Sequence, residues 1–572
     1  MERNTRLTRR NALKTGAIAT GLIGVGTQLG AAQNNGSPQS NHCYYQVDFV
    51  AGDSIETLGE TEDAFYGRQN RLIQYLHGDQ HGPRTADRWL NSLDSETREC
   101  VKAEPIRVRG DSVSVDFTVD EGCERVLSLA VYSLPGGAFS FQEEQNLLAA
   151  ETDTFGPGTH ELVVENALGT ICPQLPEWYE HYAKLTADDA TADDEFGWSV
   201  AMSHSGDTAV VGAYGDDDAG DDSGSAYVFG RMDDGWTQQT KLIADDAAGA
   251  DWFGSSVAVS DSADTIAVAA RYEGVEDTGA VYVFGRGDYG WTQRAKLTAT
   301  DAVAVADFSS VAISASGDTV IVGARYDDTD PAPETGSAYV FSRADGSWTQ
   351  QAKLAADDAA GDDAFGSAVA VSGAGDTAII GARFDDTDAG SATGSAYVFS
   401  RANGAWAQQA KLTAADAERS DAFGWSVAVS DSGDTAVIGT PRDDDASISS
   451  GSAYVFGRTD GSWIQRAKLT ATDAAMYDGF GHSVAVSEPG DTVIVGAKRT
   501  DEDSYSGSAY VFTQANGTWT QQVKLTADDG VADDEFGWSV AVSGPGDTAI
   551  VGAYGESVLE GSISGSAYVF GK

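Results

Sequence analysis

Phenylalanine recurs at Phe196, Phe253, Phe308, Phe365, Phe423, Phe480 and Phe536, at intervals of 57, 55, 57, 58, 57 and 56 residues. Seven copies of a unit this long restrict the chain to repeat architectures. Glycine follows each phenylalanine except Phe308, where Ser309 stands. Four short segments recur in fixed order, typified by Phe536–Val542, Asp547–Ala553, Gly565–Phe570 and Trp519–Leu525. Each reads as a strand of about six to eight residues bounded by turn signals such as Ser-Gly-Asp-Thr. Four antiparallel strands per copy, with no helical period, describe a propeller blade. The fold class expected is therefore all-β: a seven-bladed β-propeller over residues 178–572, with a small β-sandwich-like domain before it.

The array ends after the third segment of its seventh copy, and a Trp-to-Leu segment like the fourth lies upstream at Trp178–Leu185. That segment is expected to complete the last blade and close the ring. Small residues in the first segment suit crowded inner strands, while Ala-Tyr-Val-Phe and the tryptophans supply bulk between blades. Two acidic positions repeat as well. One lies seven residues before each phenylalanine (Asp189, Asp246, Asp301, Asp358, Asp416, Asp473, Asp529), the other two before it (Asp194, Asp251, Asp363, Asp421, Asp478, Asp534), displaced to Asp307 in the third copy. Sevenfold repetition favours turn-forming or backbone-capping roles, with Ca²⁺ binding as the alternative.

Against 36 Lys+Arg stand 88 Asp+Glu, a formal net charge of −52. Such a surface argues against nucleic acid as a partner and resembles proteins adapted to very high salt. At the N-terminus, Arg3, Arg6, Arg9, Arg10 and Lys14 precede a weakly apolar stretch ending in Ala31-Ala32. Residues Thr8–Lys14 resemble a twin-arginine export signal. Residues 1–32 are thus expected to be a signal peptide and 33–41 a linker, with no transmembrane helix once the signal is removed. Residues 42–172 carry all four cysteines, Cys43, Cys100, Cys123 and Cys172, in a β-rich segment. Two disulfides are expected there, with all three pairings open. Strands are read at Val113–Val119, Leu127–Val131 and Leu162–Val164, and short helices at Arg68–His77 and Asp87–Leu93.

Phe-Gly followed by Val-Gly-Ala, as in Phe196-Gly197 and Val211-Gly212-Ala213, resembles the FG-GAP repeats of integrin α-subunit heads, in particular the bacterial and archaeal variety with a Trp-x-Gln-x-x-Lys-Leu strand. The resemblance implies a propeller used for adhesion or ligand display. It does not carry over a calcium loop, because the connection between the first two strands is only Ser205-Gly206-Asp207-Thr208 or its equivalent. Candidate Ca²⁺ ligands remain in the acidic loops between second and third strands: Asp216, Asp217 and Asp218; Asp327, Asp328 and Asp330; Asp385, Asp386 and Asp388; Asp443, Asp444 and Asp445. Charge alone reads these as solvated loops. His77 and His81 have ligand spacing but no adjacent glutamate, and read as a loop pair. No nucleophile elbow, phosphate loop or dinucleotide fingerprint occurs. The expectation is an exported monomer without catalytic activity, at the cell surface or outside the cell. It would bind a protein or glycan through variable loops on one face. The alternatives are a secreted polysaccharide-active hydrolase or lyase and a structural envelope component.

Overall fold

The structure is a computed structural model that describes residues 44–51, 57–58, 72–79, 82–88, 100–103, 106–109, 112–120, 123, 125–133, 145–164, 180–232, 235–274, 278–301, 306–327, 334–500, 505–557 and 563–572. The expected signal peptide and linker lie outside these residues, as do Cys43 and Cys172.

Two sheets precede the repeats. Strands Tyr44–Ala51, Leu72–Asp79, Gly82–Arg88, Arg125–Ser133, Gln145–Phe155 and Thr57–Leu58 form one, and Val101–Ala103, Arg107–Arg109, Ser112–Val119 and Gly158–Val164 the other. Alternate residues of both meet in one core: Val47, Phe49, Leu127, Leu129 and Val131 from the first, Val113, Val115, Phe117, Val119, Leu162 and Val164 from the second. This is sandwich packing, produced by the period-two pattern of the strands. Cys100 and Cys123 form a disulfide. The helix expected at Arg68–His77 is instead the strand Leu72–Asp79, paired on one side with Tyr44–Ala51 and on the other with Gly82–Arg88. Gly82–Arg88 likewise replaces the start of the helix expected at Asp87–Leu93, whose remainder lies outside the described residues. Two ladders satisfy the backbone more fully than a short isolated helix would. His77 consequently sits on a strand, while His81 is outside the described residues.

From Ser199 onward the first six repeats each form one four-stranded antiparallel sheet, in the order of the sequence. In blade one the strands are Ser199–Met202, Thr208–Ala213, Ser225–Met232 and Gly235–Leu242. The inner strand is shorter than expected in blades one, five and seven, at four residues. Core clusters lie between blades. Val210, Ala226, Val228 and Leu242 of blade one pack with Phe253, Val257, Ile266, Val268, Tyr282 and Phe284 of blade two, and Trp291 covers their edge. Phe253 meets Tyr282 and Phe284 edge-to-face, with centroids 5.6 and 6.0 Å apart.

Glycine after the phenylalanine is required by this packing. Gly254 has φ +93°, and a Cβ there would fall 2.2 Å from the Ser225 carbonyl oxygen of the preceding blade. The same close approach lets Phe253 N–H donate to Ser223 O at 3.1 Å, stitching blade to blade. Blade three departs from the frame. It lacks one residue here, so that Ser310 pairs with Gly323 as Ser256 pairs with Ala269.

The seventh blade is completed by Glu180–Leu185, which pairs with Ser566–Gly571. Phe196 N–H also donates to Ser564 O at 3.0 Å, and Gly544 N–H to His204 O at 2.9 Å, joining last blade to first. Lys184 faces Tyr568 as Lys241 faces Tyr227, and His181 faces Phe570 as Gln238 faces Phe229. In sequence this register aligns Tyr179, not the expected Trp178, with Trp236; both lie outside the described residues.

Candidate functional site

The acidic repeat positions belong to a lattice built around the lysine of the fourth strand. Lys241 Nζ lies 2.8 Å from Asp189, 2.8 Å from Asp216 and 2.6 Å from Asp218. Tyr227 donates to Asp189 and Asp216 at 3.0 and 2.8 Å. The motif returns with Lys353 on Asp327 (2.8 Å), Lys411 on Asp385 (2.8 Å) and Lys468 on Asp443 (2.9 Å). It also returns with Lys296 on Glu273 and Lys184 on Glu556, where the sequence had suggested no site. In blade six Thr500 stands in place of the second carboxylate, and among the described residues Lys524 pairs with Asp473 alone, at 2.8 Å.

Asp216, Asp327, Asp385 and Asp443 are thus buried on a lysine, and the ammonium occupies the point on which the carboxylates converge. Burial opposes the Lys241 charge, but bonds from Asp189, Asp216 and Asp218 outweigh it and raise the pKa. Asp217, Asp386 and Asp444 instead accept backbone N–H groups of their own loops, from Asp222, Ala392 and Ser449. Asp218 and Asp445 are exposed arms on Lys241 and Lys468. Asp388 is exposed, and Asp328 and Asp330 lie outside the described residues.

The carboxylates two residues before phenylalanine do cap backbone, as their repetition suggested. Asp194, Asp251, Asp363, Asp421, Asp478 and Asp534 each accept the N–H three residues upstream at 2.6–2.7 Å. The set seven residues before it does not cap turns in this way: Asp189, Asp246, Asp358, Asp416 and Asp529 are lysine partners. Burial pushes Asp363, Asp421 and Asp534 up to about 6. Such groups hold protons in the folded state that the unfolded chain has released, so they stabilise fully below about pH 4 and lose that contribution as pH rises toward 6. The lysine-paired Asp189, Asp246, Asp358, Asp416 and Asp529 are lowered; burial opposes this, but the lysine and tyrosine bonds outweigh it. Their contribution is present above about pH 4 and lost below it. Calorimetry at fixed high salt is expected to give a melting temperature highest near pH 4–5 and falling toward pH 7. The triple variant Asp363→Asn, Asp421→Asn, Asp534→Asn is expected to flatten that fall.

At the other repeat positions the blades differ, and three of these positions meet at one end of the axis. They are the residue before phenylalanine (Glu195, Trp252, Asp307, Ala364, Ala422, Gly479, Glu535), the residue two after it (Trp198, Ser255, Ser367, Trp425, His482, Trp538; absent in blade three) and the pair after the second strand. That pair reads Tyr214-Gly215, Arg271-Tyr272, Arg325-Tyr326, Arg383-Phe384, Pro441-Arg442, Lys498-Arg499 and Tyr554-Gly555. Inner strands begin here and second strands return here, so the topology gathers these side chains around the mouth of the ring.

Aromatic rings form an unbroken crescent over blades two, one, seven, six and five. Tyr272–Trp252, Trp252–Tyr214, Tyr214–Trp198 and Trp198–Trp538 centroids are 4.8, 4.6, 4.7 and 4.5 Å apart. Trp538–His482 and His482–Trp425 follow at 4.5 and 5.6 Å. An arc of cations completes the circle. Arg271 and Arg325 share the fully buried Asp307, which tethers blade two to blade three where the residue is missing. Asp307 therefore does not replace the capping carboxylate of the other blades. Arg383 lies 4.4 Å over Trp425 and 4.9 Å over Phe384, Arg442 lies 5.6 Å from Trp425, and Lys498 lies 4.0 Å over Trp538.

Burial, then the neighbouring Arg325, push Arg383 down to about 10. Burial pushes Lys498 down to about 8, with Glu535 at 3.7 Å only partly restoring it. His482 is held well below its usual range by burial and then by Lys498, and donates from Nδ1 to the Trp538 carbonyl at 3.1 Å as a neutral ring. The mouth therefore sets six cations against Glu195, Asp307 and Glu535, in a chain of net charge −52. That concentration of positive charge beside flat rings equips it to bind anions and ring faces. Sequence reading missed it, although the signal lay in the residues that change beside the constant motifs.

At the opposite end, the hairpin tips of the inner strands are linked around the axis, Asp261 N–H to Ala315 O, Ala315 to Gly373 and Gly373 to Asp431 at 3.1–3.2 Å. His204 and Glu488 meet there at 3.2 Å, and Asp261 comes within 4.8 Å of both. Burial, then Asp261 and Glu488, push Asp431 up to about 6.

Seven segments, residues 179–229, 236–284, 291–341, 348–399, 406–456, 463–512 and 519–570, match the family model described as FG-GAP repeat. The first match begins at Tyr179 where the others begin at tryptophan, in agreement with the strand register. No curated protein matches the chain.

Proposed function

We propose, from the premise that this chain belongs to the FG-GAP repeat family, that it is an exported, non-catalytic binding module that recognises a protein or glycan at the cell surface or outside the cell. The observation that carries this reading is the mouth itself. Within a frame repeated seven times, three positions that differ from blade to blade converge on one end of the axis, and there six cations face three carboxylates in a chain of net charge −52. Variable positions gathered on a rigid ring are how repeat scaffolds acquire recognition. Export is supported by the basic, then weakly apolar N-terminus and by the Cys100–Cys123 disulfide, which persists in oxidising compartments. Among the described residues no helix is long and apolar enough to cross a membrane. The excess of carboxylates suits concentrated salt.

Incubating the full chain in concentrated KCl with a panel of polysaccharides, and following both retention and reducing-end release, tests the reading. Retention without turnover is expected, and it should fall when Trp198 and Arg442 are replaced by alanine. Turnover lost in Glu195→Gln or Glu535→Gln would make the protein an enzyme and contradict it.

A further inference from the structure

We propose that the mouth binds the anionic end of a glycan, a terminal sugar bearing a carboxylate or sulfate ester, with its ring against the aromatic crescent and its anion on Arg383 and Arg442. This rests on the binding reading and names its ligand. Arg271 and Arg325 are already committed to Asp307, and Lys498 and Arg499 face Glu535 at 3.7 Å. Arg383 and Arg442 have no carboxylate within ion-pair distance among the described residues. Arg383 Nε is shielded from solvent and has no hydrogen-bond partner, an orphan donor on a guanidinium held between Trp425 and Phe384. A donor shielded from solvent and left unpaired is costly in a folded protein, and an anionic ligand reaching this guanidinium would offset that cost. A guanidinium also presents two parallel donors to a carboxylate or sulfate.

Three features select the end of a glycan over other anions. The half-buried faces of Trp198, Trp252, Trp425 and Trp538 suit the C–H faces of a sugar ring. A polynucleotide needs a continuous positive track, and here the cations of the mouth form a short arc on a chain of net charge −52. An extended acidic peptide draws affinity from an open sheet edge. The starts of the inner strands offer none in six blades, where the phenylalanine is bridged to the preceding blade.

The test is calorimetry with tryptophan fluorescence on the full chain, in concentrated KCl. The probes are glucuronate, galacturonate, glucose 6-sulfate, glucose, acetate, a short poly-aspartate peptide and a short oligothymidylate. Saturable binding of the acidic sugars is expected, with glucose and acetate each at least about tenfold weaker. Arg383→Gln and Arg442→Gln should each lose tenfold or more for acidic sugars at an unchanged melting midpoint. Trp198→Leu, away from both arginines, should weaken acidic sugars without altering the response to acetate. If the peptide or the oligonucleotide binds and the sugars do not, the glycan assignment fails while the binding module stands. If acetate binds as tightly as glucuronate, the sugar-ring contribution fails. If no probe binds, the inference is overturned. Turnover of a glucuronide would instead overturn the non-catalytic reading and leave the ligand class in place.

Discussion

Lys241→Met is expected to destabilise the protein by about 3–5 kcal/mol, and Lys524→Met by only about 1 kcal/mol. Both lysines occupy the same place in their blades, and they pack 5.2 and 5.6 Å over the tyrosine of the third strand, Tyr227 or Tyr510. They differ in what loses its partner. Removing Lys241 strands Asp216, which is 3% exposed, beside Asp189 and Asp218. Removing Lys524 leaves Asp473, whose side chain is 44% exposed and can turn to water, while Thr500 bonds Ser508 at 2.6 Å. Urea unfolding midpoints at constant salt measure the difference, and adding Asp216→Asn to Lys241→Met should recover part of the loss. Equal costs for the two lysines would show that the buried carboxylate contributes nothing beyond side-chain packing.

A chain beginning at Ala187 should lose more than any single substitution. Strand Glu180–Leu185 covers the third strand of blade seven, buries Leu185, and brings Lys184 to Glu556, which is 5% exposed. Leu185 contributes about 2 kcal/mol and an orphaned Glu556 costs about 3–5 kcal/mol, before the ladder is counted. Ser566–Gly571 would then be an open edge of alternating Tyr568 and Phe570, ready to pair with another copy. Broadened thermal unfolding and concentration-dependent association in sedimentation are expected, with partial rescue by a peptide of residues 178–187. An unchanged midpoint and a monomeric species would show that the ring does not depend on this strand.

The repeat architecture was legible because each blade spells the same local pattern. Strand period, turn chemistry and the small-residue inner strand agree at all seven copies, so that local preferences and global packing point one way. Reading went astray where one residue type outweighed the frame. By identity Trp178 is the expected blade tryptophan, although counting from the Lys184-Leu185 ending aligns Tyr179 with that position. The helix expected at Arg68–His77 gives way to the strand Leu72–Asp79 because its partners, Tyr44–Ala51 and Gly82–Arg88, are chosen by tertiary pairing that local pattern does not show.

The acidic loops drew attention as calcium ligands for a similar reason. The lysine that meets Asp216 lies 25 residues downstream, and that distance hides the pairing from sequence inspection. The mouth was harder still. Trp198, Trp425, His482 and Trp538 fall at one frame position, and Arg271, Arg325, Arg383 and Lys498 at another, yet only the sheet topology shows that the two positions face the same end of the axis.

Hydrogen exchange on the full chain, with and without the acidic sugar that binds most tightly, tests most directly that this mouth is the binding site. New protection is expected at residues 196–199, 253–256, 383–386, 425–427 and 498–500, with the hairpin tips 204–207 and 431–434 unchanged. Protection confined to those tips, or to the outer strands of the blades, would contradict it.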